Sequence, residues 1–141
     1  MKNNSNLISK FKNNLSENVK LSNYSWFNLG GLAEYFYKAK NKEELTEFLK
    51  EAKKNKLKIN IIGAGSNILF RDNGVKGAVI KLGKEFSYIK ILDKDILEIG
   101  AATLDRTVAN FARDNNLGNF EFLSCIPGTI GGAVIMNSGC Y

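Results

Sequence analysis

Two glycine-rich stretches hold the residues of this chain best suited to chemistry. The first, Gly63-Ala64-Gly65-Ser66-Asn67, follows a short apolar run, Lys58 to Ile62, that reads as a buried strand. Ligands in sheets of this kind tend to bind at the carboxyl ends of strands. Two glycines let successive backbone N–H groups converge on an anion, and Ser66 and Asn67 add side-chain donors. A pyrophosphate is the natural guest. The stretch is not the dinucleotide fingerprint GxGxxG, because its third position is Ile68, and it is not a nucleotide P-loop, because no Gly-Lys-Ser/Thr follows. The same residues also suit a tight turn that only satisfies its own backbone.

The second stretch is Ile126-Pro127-Gly128-Thr129-Ile130-Gly131-Gly132-Ala133, continuing to Asn137, Gly139 and Tyr141. Pro127-Gly128 marks a turn, and Gly131-Gly132 lets the backbone approach a flat or bulky ligand closely. Ile126, Ile130 and Ile135 offer apolar surface. Thr129, Asn137 and free N–H groups would orient polar edges, the mixture expected of a cofactor pocket. The alternative is a glycine-rich crossover that packs two elements together.

Composition removes several other chemistries. The chain has no histidine, so no Ser-His-Asp site, histidine-ligated metal or histidyl-linked cofactor can be built from it. Cys125 and Cys140 make no metal-ligand spacing, and no metal site is expected. Twenty Lys and Arg against fourteen Asp and Glu give a net charge of +6. The lysines are scattered, with no arginine-rich block and no basic run interleaved with aromatics, which argues against nucleic acid and leaves a phosphorylated small molecule. No stretch approaches the roughly 20 apolar residues of a membrane span. The first twenty residues lack the apolar block and cleavage site of a secretory signal. Two thiols without an export signal fit a reduced, cytoplasmic setting. No protein partner can be inferred.

The elements that must position the two stretches follow from hydrophobic periodicity. Residues 1–20 read as a polar leader ending in a short helix, and 21–141 as a single domain. Glu34 to Ala39 reads as a strand. Asn41 then caps a helix with Glu44 completing a capping box, and Leu45, Phe48, Leu49 and Ala52 follow at helical spacing. With Lys58 to Ile62 this makes a strand–helix–strand unit, which favours a parallel pair. Val75 to Leu82, Tyr88 to Leu92 and Ile96 to Ile99 read as three more strands, with a hairpin turn at Lys94-Asp95. A second helix spans about Thr103 to Asn116, with Thr103 as cap, Leu104, Val108, Phe111 and Ala112 inward, and Gly118 just past its end. Phe120 to Tyr141 reads as apolar and loop-rich.

The segment Glu121 to Gly132 (EFLSCIPGTIGG), the loop Gly63 to Asn67 with Arg71-Asp72 after it, and Trp26-Phe27 before Gly30-Gly31 together resemble the UDP-N-acetylenolpyruvoylglucosamine reductases. Order and separation agree as well, over about Leu21 to the last residue. The resemblance implies an α+β FAD-binding fold of the type shared with the vanillyl-alcohol-oxidase and p-cresol-methylhydroxylase flavoproteins. Two small α+β subdomains would hold FAD between them, the second incomplete here. It implies that Gly63 to Asn67 cradle the pyrophosphate and that the 126–141 segment lines the isoalloxazine ring. It also implies the reaction: NADPH as hydride donor reduces non-covalent FAD, and the flavin reduces the enolpyruvyl ether of a UDP-sugar substrate to UDP-N-acetylmuramate, a peptidoglycan precursor.

The family's catalytic serine, arginine and glutamate have no counterparts among Ser66, Ser124, Ser138, Arg71 and Arg106, so no catalytic residue is assigned. The chain is accordingly expected to be an incomplete N-terminal portion, inactive by itself. The alternative is a stand-alone FAD- or nucleotide-binding module. Gly65→Val is expected to abolish flavin retention while leaving the fold mostly intact.

Overall fold

The computed structural model describes residues 5–94 and 96–139. Tyr141 from the expected cofactor set, Cys140, and Asp95 of the expected turn lie outside the described residues. The architecture is α+β, as expected.

Apolar and aromatic residues dominate β2 (Leu32–Ala39) and β4 (Val75–Leu82), and these form the centre of a four-stranded sheet ordered β1-β2-β4-β3. At its edges lie β1 (Leu15–Lys20) and β3 (Ile59–Ile62). Neither central strand shows the simple alternation of a half-solvated sheet, because both faces are covered. On one face, Tyr35, Tyr37, Ala78 and Ile80 pack with Phe48 and Ala52. On the other, Phe36, Val79 and Ile62 pack with Leu21 and Phe70. Tyr37 stacks on Phe48 at a centroid distance of 3.9 Å, and Phe11 meets both rings edge-on.

The strand–helix–strand unit is present with one change. β2 and β3 run parallel, but each pairs with β4, which is inserted between them. The helix between them, α2 (Lys42–Lys54), begins as expected, with Glu44 N–H donating to Asn41 Oδ1 at 2.8 Å. The reciprocal half of the capping box is replaced: the Glu44 carboxylate accepts from Asn14 Nδ2 at 2.6 Å instead. Phe48 and Ala52 are buried, and Leu49 lies on the exposed margin of the helix.

Residues read as a polar leader belong to this core. They form α1 (Ser5–Lys10) and then β1, which pairs antiparallel with β2. Leu7, Phe11 and Leu15 are buried against Tyr37 and Phe48. The apolar residues of this segment are sparse because helix and strand each present only one to the core per turn or pleat, which hid them in a polar background.

The second half of the chain is built on a hairpin, β5 (Ile89–Asp93) with β6 (Ile96–Ile99), against α3 (Asp105–Asp114). Val108, Ala109 and Leu123 form its small core with Ile89, Ile99, Ile126 and Ile130. Three details differ from expectation. Leu104, not Thr103, stands at the cap of α3 and is 51% exposed rather than inward. Thr103 is buried and its hydroxyl donates to the Tyr88 carbonyl at 3.1 Å, so it ties helix to hairpin. The helix stops at Asp114, and the left-handed residue past its end is Asn116, at φ 55°, rather than Gly118, with Leu117 N–H returning to the Ala112 carbonyl at 2.8 Å. Asparagine tolerates that left-handed turn, so glycine is not needed there.

The segment expected to be loop carries a short helix, α4 (Ile130–Met136), after a 3₁₀ turn over Glu121–Cys125. Ile130 N–H donates to the Thr103 carbonyl and Gly131 N–H to the Ala101 carbonyl, each at 2.9 Å, which fixes the start of α4 on the α3 entry loop.

Candidate functional site

β3 delivers Gly63 to Asn67 at its carboxyl end. The turn is held from two sides. Trp26 N–H donates to the Gly65 carbonyl at 3.0 Å, and Ser25 Oγ donates to the Ile68 carbonyl at 2.9 Å. Gly65 adopts φ +79°, and a Cβ there would collide with the Tyr24 carbonyl. Its lack of a side chain is therefore required by the neighbouring chain. Ala64 and Ser66 are half-buried and Asn67 is exposed.

The two glycine-rich stretches meet. Gly63 backs onto Thr129, whose Oγ1 lies 2.7 Å from where a Gly63 Cβ would stand. Thr129 is buried, pairs with Leu104 as an isolated antiparallel bridge, and accepts from Gly132 N–H as the cap of α4. The carboxyl end of β3, the entry to α3 and the start of α4 thus converge on one residue.

Within the second stretch Gly128 and Gly131 are also packed. A Cβ on Gly131 would press on Ala101 at 3.0 Å, and one on Gly128 would stand 2.8 Å from Asp105 Oδ2. Asn137 takes φ 48°, ψ 47° and ends α4, so its backbone serves the left-handed helix stop. Ile126 is half-buried in the small core, whereas Pro127 and Gly139 are exposed. Ile135 is 84% exposed, and with Val134 and Met136 it leaves α4 an uncovered apolar face. The packing alternative left open by the sequence thus holds at Gly63, Gly65, Gly128 and Gly131. The Cβ side of each of these four glycines serves internal packing, while the turn at Ala64 borders open space.

That space includes a cleft of about 460 Å³ beside the Gly63 turn, lined by Asn23, Tyr24, Ser25, Trp26, Asn28, Ala64 and Lys81. Lys81 reaches in from near the end of β4, and its Nζ donates to the Gly63 carbonyl at 2.6 Å. Sequence reasoning passed over this lysine as one polar residue in an apolar strand. Its signal was a single cation near the carboxyl end of a buried strand. A larger depression between α1 and α2, about 630 Å³, is walled by Lys10, Lys42, Glu47, Lys50 and Glu51, the solvated faces of two helices.

Burial sets the electrostatics. Desolvation pulls the Lys81 ammonium below the ordinary lysine value, and Lys38 nearby adds to the effect. Asp105 is fully buried, neither carboxylate oxygen has a hydrogen-bond partner, and burial pushes its pKa up. Among the described residues no group of three or more Cys, Asp or Glu is placed to hold a metal ion, and no helix is long and apolar enough to cross a membrane.

A family model described as "FAD binding domain" matches residues 33–141. A UDP-N-acetylenolpyruvoylglucosamine reductase of Pelagibacter ubique (strain HTCC1062) is 46% identical over 138 residues, covering 95% of this chain and 45% of the relative. The protein of the same name from Orientia tsutsugamushi (strain Ikeda) is 44% identical over 137 residues, with the same two shares. Among solved structures, UDP-N-acetylenolpyruvylglucosamine reductase (MurB) from Thermus caldophilus superposes with a TM-score of 0.70 at 34% identity, over 88% of this chain and 42% of that one. The chain spans somewhat under half the length of these relatives.

Proposed function

Because the chain belongs to the family of FAD binding domains, we propose that it is the flavin-holding part of a cytoplasmic reductase. That enzyme converts the enolpyruvyl ether of UDP-N-acetylglucosamine to UDP-N-acetylmuramate with NADPH as hydride donor. The substrate and its reduction come from the names of the relatives, each about twice as long as this chain, while NADPH and the product are what the resemblance implies.

The observation that carries the reading is the meeting of Gly63 with Thr129. Two glycine-rich segments, far apart in sequence and inside one FAD-family match, are brought to a common edge. The residues present fit the cofactor: a cleft of about 460 Å³ borders the bare turn at Ala64, room for a diphosphate and an adjoining sugar but not for a whole dinucleotide. The exposed apolar face of α4 adds uncovered surface in the second stretch. FAD, held without a covalent link, would supply the hydride chemistry. In this assignment the backbone of Gly63, Ala64, Gly65, Ser66 and Asn67 receives the diphosphate. Ile126, Pro127, Gly128, Thr129, Gly131, Gly132, Ile135, Asn137 and Gly139 border the ring. The chain's own part is to bind and orient, and no side chain here is assigned a proton-transfer role. The 141 residues alone are therefore expected to hold flavin without turnover.

The test is equilibrium titration of the purified chain with FAD, followed by flavin absorbance and fluorescence. Saturable binding with a shifted flavin spectrum is expected. A colourless protein that leaves the FAD spectrum unchanged at millimolar cofactor would overturn the reading.

A further inference from the structure

Lys81 is a cation in an unusual position. The residue is half-buried at the cleft, and its Nζ makes one hydrogen bond, to the Gly63 carbonyl. An ammonium has three donors. Among the described residues Lys81 forms no ion pair; those observed belong to Lys10, Lys90 and Arg113. Burial depresses its pKa, and the charge that adds to the effect is another cation, Lys38. A partly desolvated positive charge beside a like charge, with donors to spare, lacks a counter-ion. The opening in front of it is bounded by the bare turn at Ala64 on one side and by Ser25, Trp26 and Asn28 on the other.

We propose that Lys81 supplies the counter-charge for the diphosphate of a nucleotide seated between Ala64 and Trp26; the assignment rests on the Gly63–Asn67 turn receiving that diphosphate. One lysine then does two things. It holds the Gly63 carbonyl in place, which keeps an acceptor from facing the anion, and it offers its remaining donors to the phosphate oxygens. The adjacent Lys38 deepens the positive potential.

Trp26 is the single tryptophan of the chain and lines the same cleft, so its fluorescence reports occupancy directly. The wild-type chain and the variants Lys81→Arg, Lys81→Gln and Lys81→Met are titrated with inorganic pyrophosphate, with FAD and with riboflavin, which carries no phosphate. Lys81→Gln is the discriminating variant, because its amide can still donate to the Gly63 carbonyl while the charge is gone. Binding of pyrophosphate and FAD is expected to weaken about tenfold or more in Gln and Met and to survive in Arg, as loss of a charge-assisted contact predicts. Riboflavin affinity should not change. Pyrophosphate should also raise the pKa of the Lys81 ammonium, read by carbon NMR of its side chain in the wild-type chain, which serves even if a variant fails to fold. FAD binding that is equal in wild type and Lys81→Gln, or a lysine titration indifferent to pyrophosphate, overturns the role of Lys81 and leaves the flavin reading standing. Lys81-dependent pyrophosphate binding without any FAD binding does the reverse. No binding of either removes both.

Discussion

Thr129 Oγ1 stands 2.7 Å from the point a Cβ on Gly63 would occupy, so the end of β3 and the cap of α4 are fitted to each other at atomic contact. Gly63 needs no positive φ, and its constraint is purely one of space. Gly63→Ala is therefore expected to destabilise the chain by about 1–3 kcal/mol, the range for overpacking a fitted site. Thr129→Ala is expected to lose about 1 kcal/mol with the helix cap. The double variant should be more stable than the sum of the two predicts, because removing the hydroxyl makes the room that alanine needs. Urea midpoints of the four proteins check this, and strict additivity would contradict the contact.

Gly65 sits under a different constraint, and the structure revises what its replacement should do. With φ +79° and the Tyr24 carbonyl where a Cβ would go, even Gly65→Ala must both strain its own backbone and displace the 24–26 segment. The left-handed conformation alone costs roughly 1–2 kcal/mol for a side chain. Loss of stability is thus expected alongside loss of flavin, rather than flavin loss on an intact fold. A variant with an unchanged urea midpoint would restore the simpler expectation.

The sequence revealed elements better than it revealed edges. Asn41 with Glu44, the apolar run into Gly63 and the β5–β6 hairpin were legible because each is specified by neighbours a few residues away. β1 was not, since Leu15 and Val19 alternate with polar residues and acquire meaning only when paired with Tyr37 and Ala33. α4 was hidden by Gly131, a poor helix former, whose presence is explained by Ala101 lying against it. The glycine-rich stretches were found, but the surface each turns to its own chain was not. Lys81 was missed because its significance lies in Gly63, a partner eighteen residues distant.

Tyr37 offers a test of the core. Its ring is stacked on Phe48, yet its buried hydroxyl has no hydrogen-bond partner. Burial, with Glu44 and Glu47 nearby, pushes its pKa up to about 12. Tyr37→Phe removes an unsatisfied polar group and keeps the stack, so stability should rise by roughly 1 kcal/mol at neutral pH. A phenol whose folded pKa is raised loses stability as pH climbs from about 10, its unfolded value, towards its folded one. The phenylalanine variant should therefore also resist alkali better. A lower midpoint in Tyr37→Phe would mean that the hydroxyl is satisfied after all.

Asp105 yields the clearest dependence on acid. It lies fully buried behind Gly128 with both oxygens unpartnered, and desolvation raises its pKa above the ordinary carboxylate value. The folded state then holds the proton more tightly than the unfolded chain does. Below the unfolded pKa, about 3.9, both states are protonated and the residue is neutral in the balance. As pH rises from there through the folded value, the unfolded chain gains charge freely while the folded one resists, so this residue's contribution to stability falls. Asp105→Asn keeps the shape and cannot ionise. Its stability should match wild type most closely near pH 4 and exceed it increasingly towards pH 7, with the difference levelling off once the folded carboxyl has ionised. Urea midpoints of the two proteins across that range cancel every other titrating group in the difference. Parallel profiles would show that the carboxylate has found a partner, and with it a different reason for Gly128.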